Sequence, residues 1–202
     1  MKRFDTNLSE EQIKKDILSA ADKRFRAFGY KKTTMSEIAQ DLGMSTSNLY
    51  RYFPSKVSIA EAFALHCFAE KEAGLRLLLE RPLNNAIGAL IVYAKGLLHY
   101  NFEQLNSYPA INDMIMARCE TSSEVVDKKM DGELSILKVI LEKGQAQQCW
   151  AIENIEETGM AIMASWVMFS TPTFMHHQTL EQLEERLSSV LNLIIIGLKV
   201  RD

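Results

Sequence analysis

Apolar residues recur at spacings of three and four along this chain, and no window sustains period-two alternation. That periodicity predicts helices throughout. The first runs from about Ser9 to Phe28. Ser9 caps it, Glu10 and Glu11 suit its first turn, Gly29 stops it, and Ile13, Ile17, Ala21, Phe25 and Phe28 form its inward stripe. The second starts at Thr34, where Thr34-Met35-Ser36-Glu37 spells a capping box in which hydroxyl and carboxylate satisfy each other's orphan amides. Ile38, Ala39 and Leu42 face inward, and Gly43 permits a sharp turn. The third is short, about Thr46 to Phe53, with Leu49 and Phe53 inward and Pro54 ending it. Ser55 caps a long fourth helix to about Glu80, with Ala60, Phe63, Ala64, Cys67 and Phe68 on one face.

After Pro82 come longer amphipathic segments, at about 83–105, 109–118, 123–148, 155–171 and 179–200. Asn154 and Thr179 are placed to cap the last two. The expected fold is all-α, with about nine helices. An N-terminal three-helix unit is joined by the long fourth helix to a C-terminal helical bundle. We divide the chain at 1–56 and 57–202, the two parts sharing the fourth helix.

Composition narrows the class. The 202 residues are 47% hydrophobic and 24% charged, as in ordinary globular proteins. No stretch approaches the ~20 apolar residues that span a bilayer, and Leu191–Leu198 is interrupted by Asn192 and Gly197. The start, MKRFDTNLSEEQIKK, has no apolar core, so no signal peptide and a cytoplasmic location are expected. Cys67, Cys119 and Cys149 are too scattered for a disulfide framework and read as buried free thiols. The net charge of −3 hides an asymmetry: residues 1–60 carry 11 basic and 7 acidic side chains, the remainder 12 and 19. A basic N-terminal part on an acidic body suits polyanion binding.

The second and third helices have helix-turn-helix spacing. The second helix of such a pair must be short and must turn a polar face to the major groove. Ser45, Thr46, Ser47, Asn48, Arg51 and Tyr52 make that face. Small hydroxyls and Asn reach base edges. Thr33 and Thr34 sit at a helix N-terminus, which attracts phosphate. Tyr50, Tyr52 and Lys56 surround the end of the third helix and are suited to phosphate oxygens. The competing reading is that Tyr50 and Phe53 merely pack a small three-helix core.

The segment ILSAADKRFRAFGYKKTTMSEIAQDLGMSTSNLYRYFPSKVSIAEAF resembles the N-terminal domain of the tetracycline-repressor (TetR) family. It carries the family's F-x-x-x-G-(Y/F) helix end, the T-T-x-x-x-I-A helix, the glycine turn and LYRYFPSK. The resemblance implies a transcriptional regulator rather than an enzyme, usually a homodimeric repressor on a palindromic operator of double-stranded DNA. The resemblance further implies that a small-molecule effector in the C-terminal domain shifts helix four and releases the DNA. By position, Thr46, Ser47 and Asn48 match base-contacting residues, and Thr34, Tyr50, Tyr52 and Lys56 match phosphate contacts. Arg51 suits either role. One short helix reads too few base pairs alone, so two-fold symmetry is also expected on physical grounds.

In the last helix Leu180, Leu183, Leu187, Val190, Leu191, Ile194, Ile195 and Leu198 form a stripe wider than one intramolecular face needs. With Met160, Met163, Trp166, Val167 and Phe169 before it, this reads either as a four-helix dimer interface or as ordinary core. The expected interface residues are Met160, Val167, Leu183, Leu187, Val190, Leu191, Ile194 and Leu198. Tyr93, Leu97, Phe102, Met114, Arg118, Met163, Trp166 and Phe169 are candidate effector-cavity residues, although plain core is the stronger reading for each taken singly. Ten methionines favour an adaptable pocket for a hydrophobic or amphipathic molecule. Arg118 suits an effector carboxylate or a local glutamate. His66, His99, His176 and His177 form no metal-ligand pattern, and no nucleophile elbow, phosphate loop or HExxH occurs, so no catalytic residue, metal or cofactor is expected.

Overall fold

The computed structural model describes residues 8–80 and 85–199. Residues 1–7, Pro82, the start of the segment expected at 83–105 and the end of the segment expected at 179–200 lie outside them. Ten α-helices are described: α1 (Glu10–Phe28), α2 (Met35–Asp41), α3 (Thr46–Tyr52), α4 (Lys56–Leu79), α5 (Ala86–Ser107), α6 (Pro109–Thr121), α7 (Ser123–Ala146), α8 (Ile155–Ser165), α9 (Val167–Ser170) and α10 (Leu180–Leu198). A 3₁₀ turn covers Pro172–Met175. Among the described residues the only extended pairing is a single bridge between Trp150 and Lys199, so the all-α expectation holds.

The caps are those the sequence spells. Ser9 accepts from the Gln12 amide, Asn154 from the amides of Glu156 and Glu157, and Thr179 closes a capping box with Gln182. Ser55 accepts from the Ser58 amide at 3.0 Å at the start of α4. Each such cap contributes about 1 kcal/mol.

The chain forms two compact units: Met1–Cys67 with Tyr108–Val126, and Phe68–Ser107 with Asp127–Asp202. This differs from the division at 56/57. The break does fall inside α4, but eleven residues later, and α6 joins the N-terminal unit. The reason lies in the buried side chains. Ile111 and Met114 of α6 are 4% exposed, in one core with Ile13, Ile17 and Phe25 of α1, Ile38 of α2, Leu49 of α3 and Phe63 of α4. The Arg26 guanidinium lies 4.0 Å over the Tyr108 ring, a cation–π contact at the start of α6. Phe28 does not join this core. It is 60% exposed at the last turn of α1, beneath the Arg24 guanidinium.

In the second unit α5 closes Leu90, Tyr93, Leu97 and Leu98 off from solvent. α7 adds Ile136, Leu137 and Leu141, and α10 adds Leu183, Leu187 and Leu191. The segment expected as one helix over 155–171 is two. Trp166 leaves helical geometry (φ −114°, ψ 17°), burying its ring against Tyr93 at 5.9 Å between centroids, and α9 starts afresh. One charge cluster is buried here. Lys71 Nζ lies 2.7 Å from Glu133 Oε1, with Lys129 at 3.4 Å. The Tyr93 hydroxyl donates to the Glu133 carbonyl at 3.3 Å. Burial alone raises a carboxyl, but Lys71 and then Lys129 outweigh it and hold Glu133 below its ordinary range.

Candidate nucleic-acid interface

The α2–α3 turn is built from backbone bonds that only a left-handed residue closes. The Met44 amide donates to Ala39 O and the Gly43 amide to Gln40 O, both at 3.0 Å, with Gly43 at φ 67°. This is the 6→1 and 5→2 pairing of a Schellman end. It sets the angle at which α3 leaves α2.

α3 is pinned from below by Leu49, fully buried, and at its end by Phe53. Ser45 caps it, accepting from the Asn48 amide at 3.1 Å. Ser45, Ser47, Tyr50 and Arg51 are exposed, and Thr46, Asn48 and Tyr52 are half-buried. Six expected reading-face side chains thus sit on one seven-residue helix and its cap. Tyr50 is 48% exposed, so its ring is not core filling. Tyr52 packs partly against the core, as does Tyr30.

α2 is held to α1 by an ionic lattice. Arg24 donates to both oxygens of Asp41, at 2.5 and 2.8 Å, and lies 3.2 Å from Glu37. Glu37 also accepts from the Thr34 amide and hydroxyl, each at 2.8 Å. The Thr34 hydrogen bonds, followed by Arg24, hold Glu37 below its usual range, and the Arg24 bond does the same for Asp41.

Two expected phosphate contacts are therefore engaged inside the fold. The Thr34 hydroxyl completes the capping box. Lys56 Nζ donates to the carbonyls of Thr33 at 2.8 Å, Tyr30 at 2.9 Å and Lys31 at 3.4 Å. Lys31 and Lys32, exposed on that same turn, are the basic side chains the motif reading passed over.

The other candidate residues divide between the units. Tyr93, Leu97, Met163, Trp166 and Phe169 share the core of the second, with Phe102 partly buried against it. Met114 and Arg118 belong to the first. There Arg118 lies 6.0 Å from the Tyr30 ring, its buried Nε without a hydrogen-bond partner among the described residues. Of the expected interface residues, Leu183, Leu187 and Leu191 are buried within the single chain, because α10 turns that edge onto α5. Val190, Ile194 and Leu198 are half-buried. Met160 and Val167 are exposed, together with Met168, Leu193 and Ile196, which the stripe omitted.

The short exposed α3, the glycine turn and the buried core beneath define a helix-turn-helix unit within an all-helical chain. Residues 17–63 match the profile of bacterial regulatory proteins of the TetR family, and residues 88–191 match the tetracyclin repressor-like C-terminal domain. The second match alone spans more than half the chain, which belongs to the TetR family. No curated relative matches it. Among solved structures it is similar to a TetR-family regulator from Mesorhizobium loti (17% identity, TM-score 0.72, covering 96% of this chain and 100% of that one). It is also similar to the TetR-family repressor FadR of Thermus thermophilus in complex with lauroyl-CoA (19%, 0.69, 94% and 96%). A third is RolR with resorcinol bound (15%, 0.66, 95% and 90%). No described helix is long and apolar enough to cross a membrane.

Proposed function

We propose that this protein is a ligand-responsive DNA-binding repressor, acting as a homodimer on a palindromic operator. The observation that carries the reading is the outward polar face of α3 above a buried Leu49. Thr46, Ser47 and Asn48 read base edges, Arg51 reads a base or grips the backbone, and Tyr50 and Tyr52 flank them on phosphates. An enzyme or a carrier has no use for such a face.

Dimerisation is supported by the exposed apolar residues of α8 to α10: Met160, Val167, Met168, Leu193 and Ile196. A pair of symmetric patches of this kind closes a two-fold interface. The effector is proposed to be hydrophobic or amphipathic, bound in the second unit near Tyr93, Leu97, Met163, Trp166 and Phe169. Two similar structures hold molecules of that kind, lauroyl-CoA and resorcinol.

The test is selection of duplexes from a random-site library, then fluorescence anisotropy of the winner at two salt concentrations. Saturable, salt-sensitive binding is expected, weakened by about 1–3 kcal/mol in Arg51→Ala if Arg51 reads a base. Failure to enrich any sequence defeats the reading. A thermal-shift screen in which only hydrophilic metabolites stabilise the protein defeats the effector class.

A further inference from the structure

In the second unit two side-chain polar atoms are sealed from solvent with no hydrogen-bond partner among the described residues. Both are indole nitrogens, Trp150 Nε1 and Trp166 Nε1. An indole N–H donates and accepts nothing. Buried and unpaired it is a cost, which a phenylalanine in the same apolar place would not carry.

The two differ in surroundings. Trp150 is closed in by packing. Its ring lies so near Gly144 that a Cβ there would come within 2.0 Å of it, and its backbone pairs with Lys199. Trp166 sits where the chain leaves helical geometry between α8 and α9, and its indole is 1% exposed. Its ring meets that of Tyr93, and Leu97, Met163 and Phe169 belong to the same buried cluster. The other donors of this region are spent. The Tyr93 hydroxyl, kept protonated by its burial, donates to the Glu133 carbonyl. The buried Asn101 amide donates to Ser170 O at 3.3 Å. The Lys71 ammonium is paired with Glu133 at 2.7 Å. Trp166 holds its hydrogen in reserve.

We propose that the Trp166 N–H is the polar anchor of the effector site, and that the effector is an uncharged molecule presenting a carbonyl oxygen on an apolar body: a ketone, an ester or a lactone. The inference rests on the effector reading above and narrows its chemistry. The site supplies a donor, so the ligand supplies a lone pair. A hydrocarbon leaves the N–H unpaired. An alcohol pairs it but brings an O–H of its own to be buried. A carboxylate brings a charge that needs a buried cation, and Lys71 is already committed to Glu133.

The experiment uses four probes of nearly one shape: acetophenone, 1-phenylethanol, ethylbenzene and benzoate. Their affinities are measured by titration calorimetry on wild type, Trp166→Phe and Trp150→Phe, each shown folded by circular dichroism. Acetophenone is expected to bind wild type about tenfold more tightly than ethylbenzene, the factor one hydrogen bond carries. Trp166→Phe is expected to lose that preference and keep its affinity for ethylbenzene, while Trp150→Phe keeps the preference. The chain has two tryptophans, so the indole N–H signals in a nitrogen-15 spectrum are assigned with Trp150→Phe. The Trp166 signal is expected to move downfield with acetophenone and not with ethylbenzene. Should Trp166→Phe not fold, this signal carries the test. Equal binding of acetophenone and ethylbenzene, a preference that survives Trp166→Phe, or an unmoved Trp166 signal overturns the proposal. So does tightest binding of benzoate, which requires a charged anchor. If wild type binds none of the four, the hydrophobic effector site falls and this proposal with it. If it binds them without distinction, that site stands and this proposal alone falls.

Discussion

Replacing Lys71 by Met leaves the Glu133 carboxylate buried with one ammonium in place of two. Glu133 is 2% exposed and Lys71 4%, so neither can turn to water. Breaking a pair this deep costs about 3–5 kcal/mol, because a charge is stranded. Lys129 still faces Glu133 at 3.4 Å, which places the cost near 3 kcal/mol, or a fall in melting temperature of about 6–12 °C at 2–4 °C per kcal/mol for a chain of this size. The double variant Lys71→Met/Glu133→Leu removes both charges and the need for them. It is expected within about 1 kcal/mol of wild type, or above it. The Tyr93 bond is untouched, since it goes to the Glu133 backbone. Urea and thermal unfolding of the four proteins, at one protein concentration, close the cycle. Acid adds a second check. In wild type Glu133 is held low, so its contribution is full above the unfolded carboxylate value of about 4.3 and is lost as pH falls below it. In Lys71→Met burial is largely unopposed, so protonation relieves the stranded charge and the gap to wild type narrows as pH falls. A single variant costing under 1 kcal/mol, or a double variant costing the sum of the two singles, refutes the reasoning.

Two further outcomes are expected. Arg24→Gln should flatten the acid dependence of the helix-turn-helix unit: the stability that Arg24 lends through Asp41 is present above about 3.9 and lost below it, and the partly exposed pair keeps the effect small. Far-UV circular dichroism during acid titration reads this, and identical wild-type and variant curves count against it. Leu193→Asp with Ile196→Asp, both in exposed positions of α10, should leave the chain folded and abolish the dimer proposed above. Sedimentation of an intact dimer in the double variant removes α10 from the interface.

How far the sequence could be read depended on whether a feature is local. Ser9, Thr34, Ser55, Asn154 and Thr179 announce helix starts because a cap bonds within three residues of itself. Gly29 and Gly43 announce turns for the same reason. The exposed polar face of α3 followed from these. What escaped was choice of partner. The pattern around Ile111 and Met114 says that α6 buries a stripe, but not that the stripe meets α1 and α4 residues. LYRYFPSK points to Lys56 but cannot show three carbonyls converging on it. α10 holds more apolar residues than one face accommodates, and their division into an inner edge at Leu183, Leu187 and Leu191 and an outer one at Leu193 and Ile196, which the stripe left out, is set by packing on α5. Nothing near Trp166 in sequence marks the break there, since neither glycine nor proline adjoins it.

Because Ile111 and Met114 complete the N-terminal core, that core is assembled from two stretches with residues 68–107 threaded between them. On the ribosome, the amino-terminal helices emerge first yet lack part of their apolar covering until α6 has been synthesised. Their last gap closes only when more than half of the polypeptide is out of the tunnel. Chimeras that exchange reading heads between relatives face the same geometry. A splice in α4 alone brings a foreign α6 under the head, so a graft that respects this packing carries residues 108–126 along with α1 to α3.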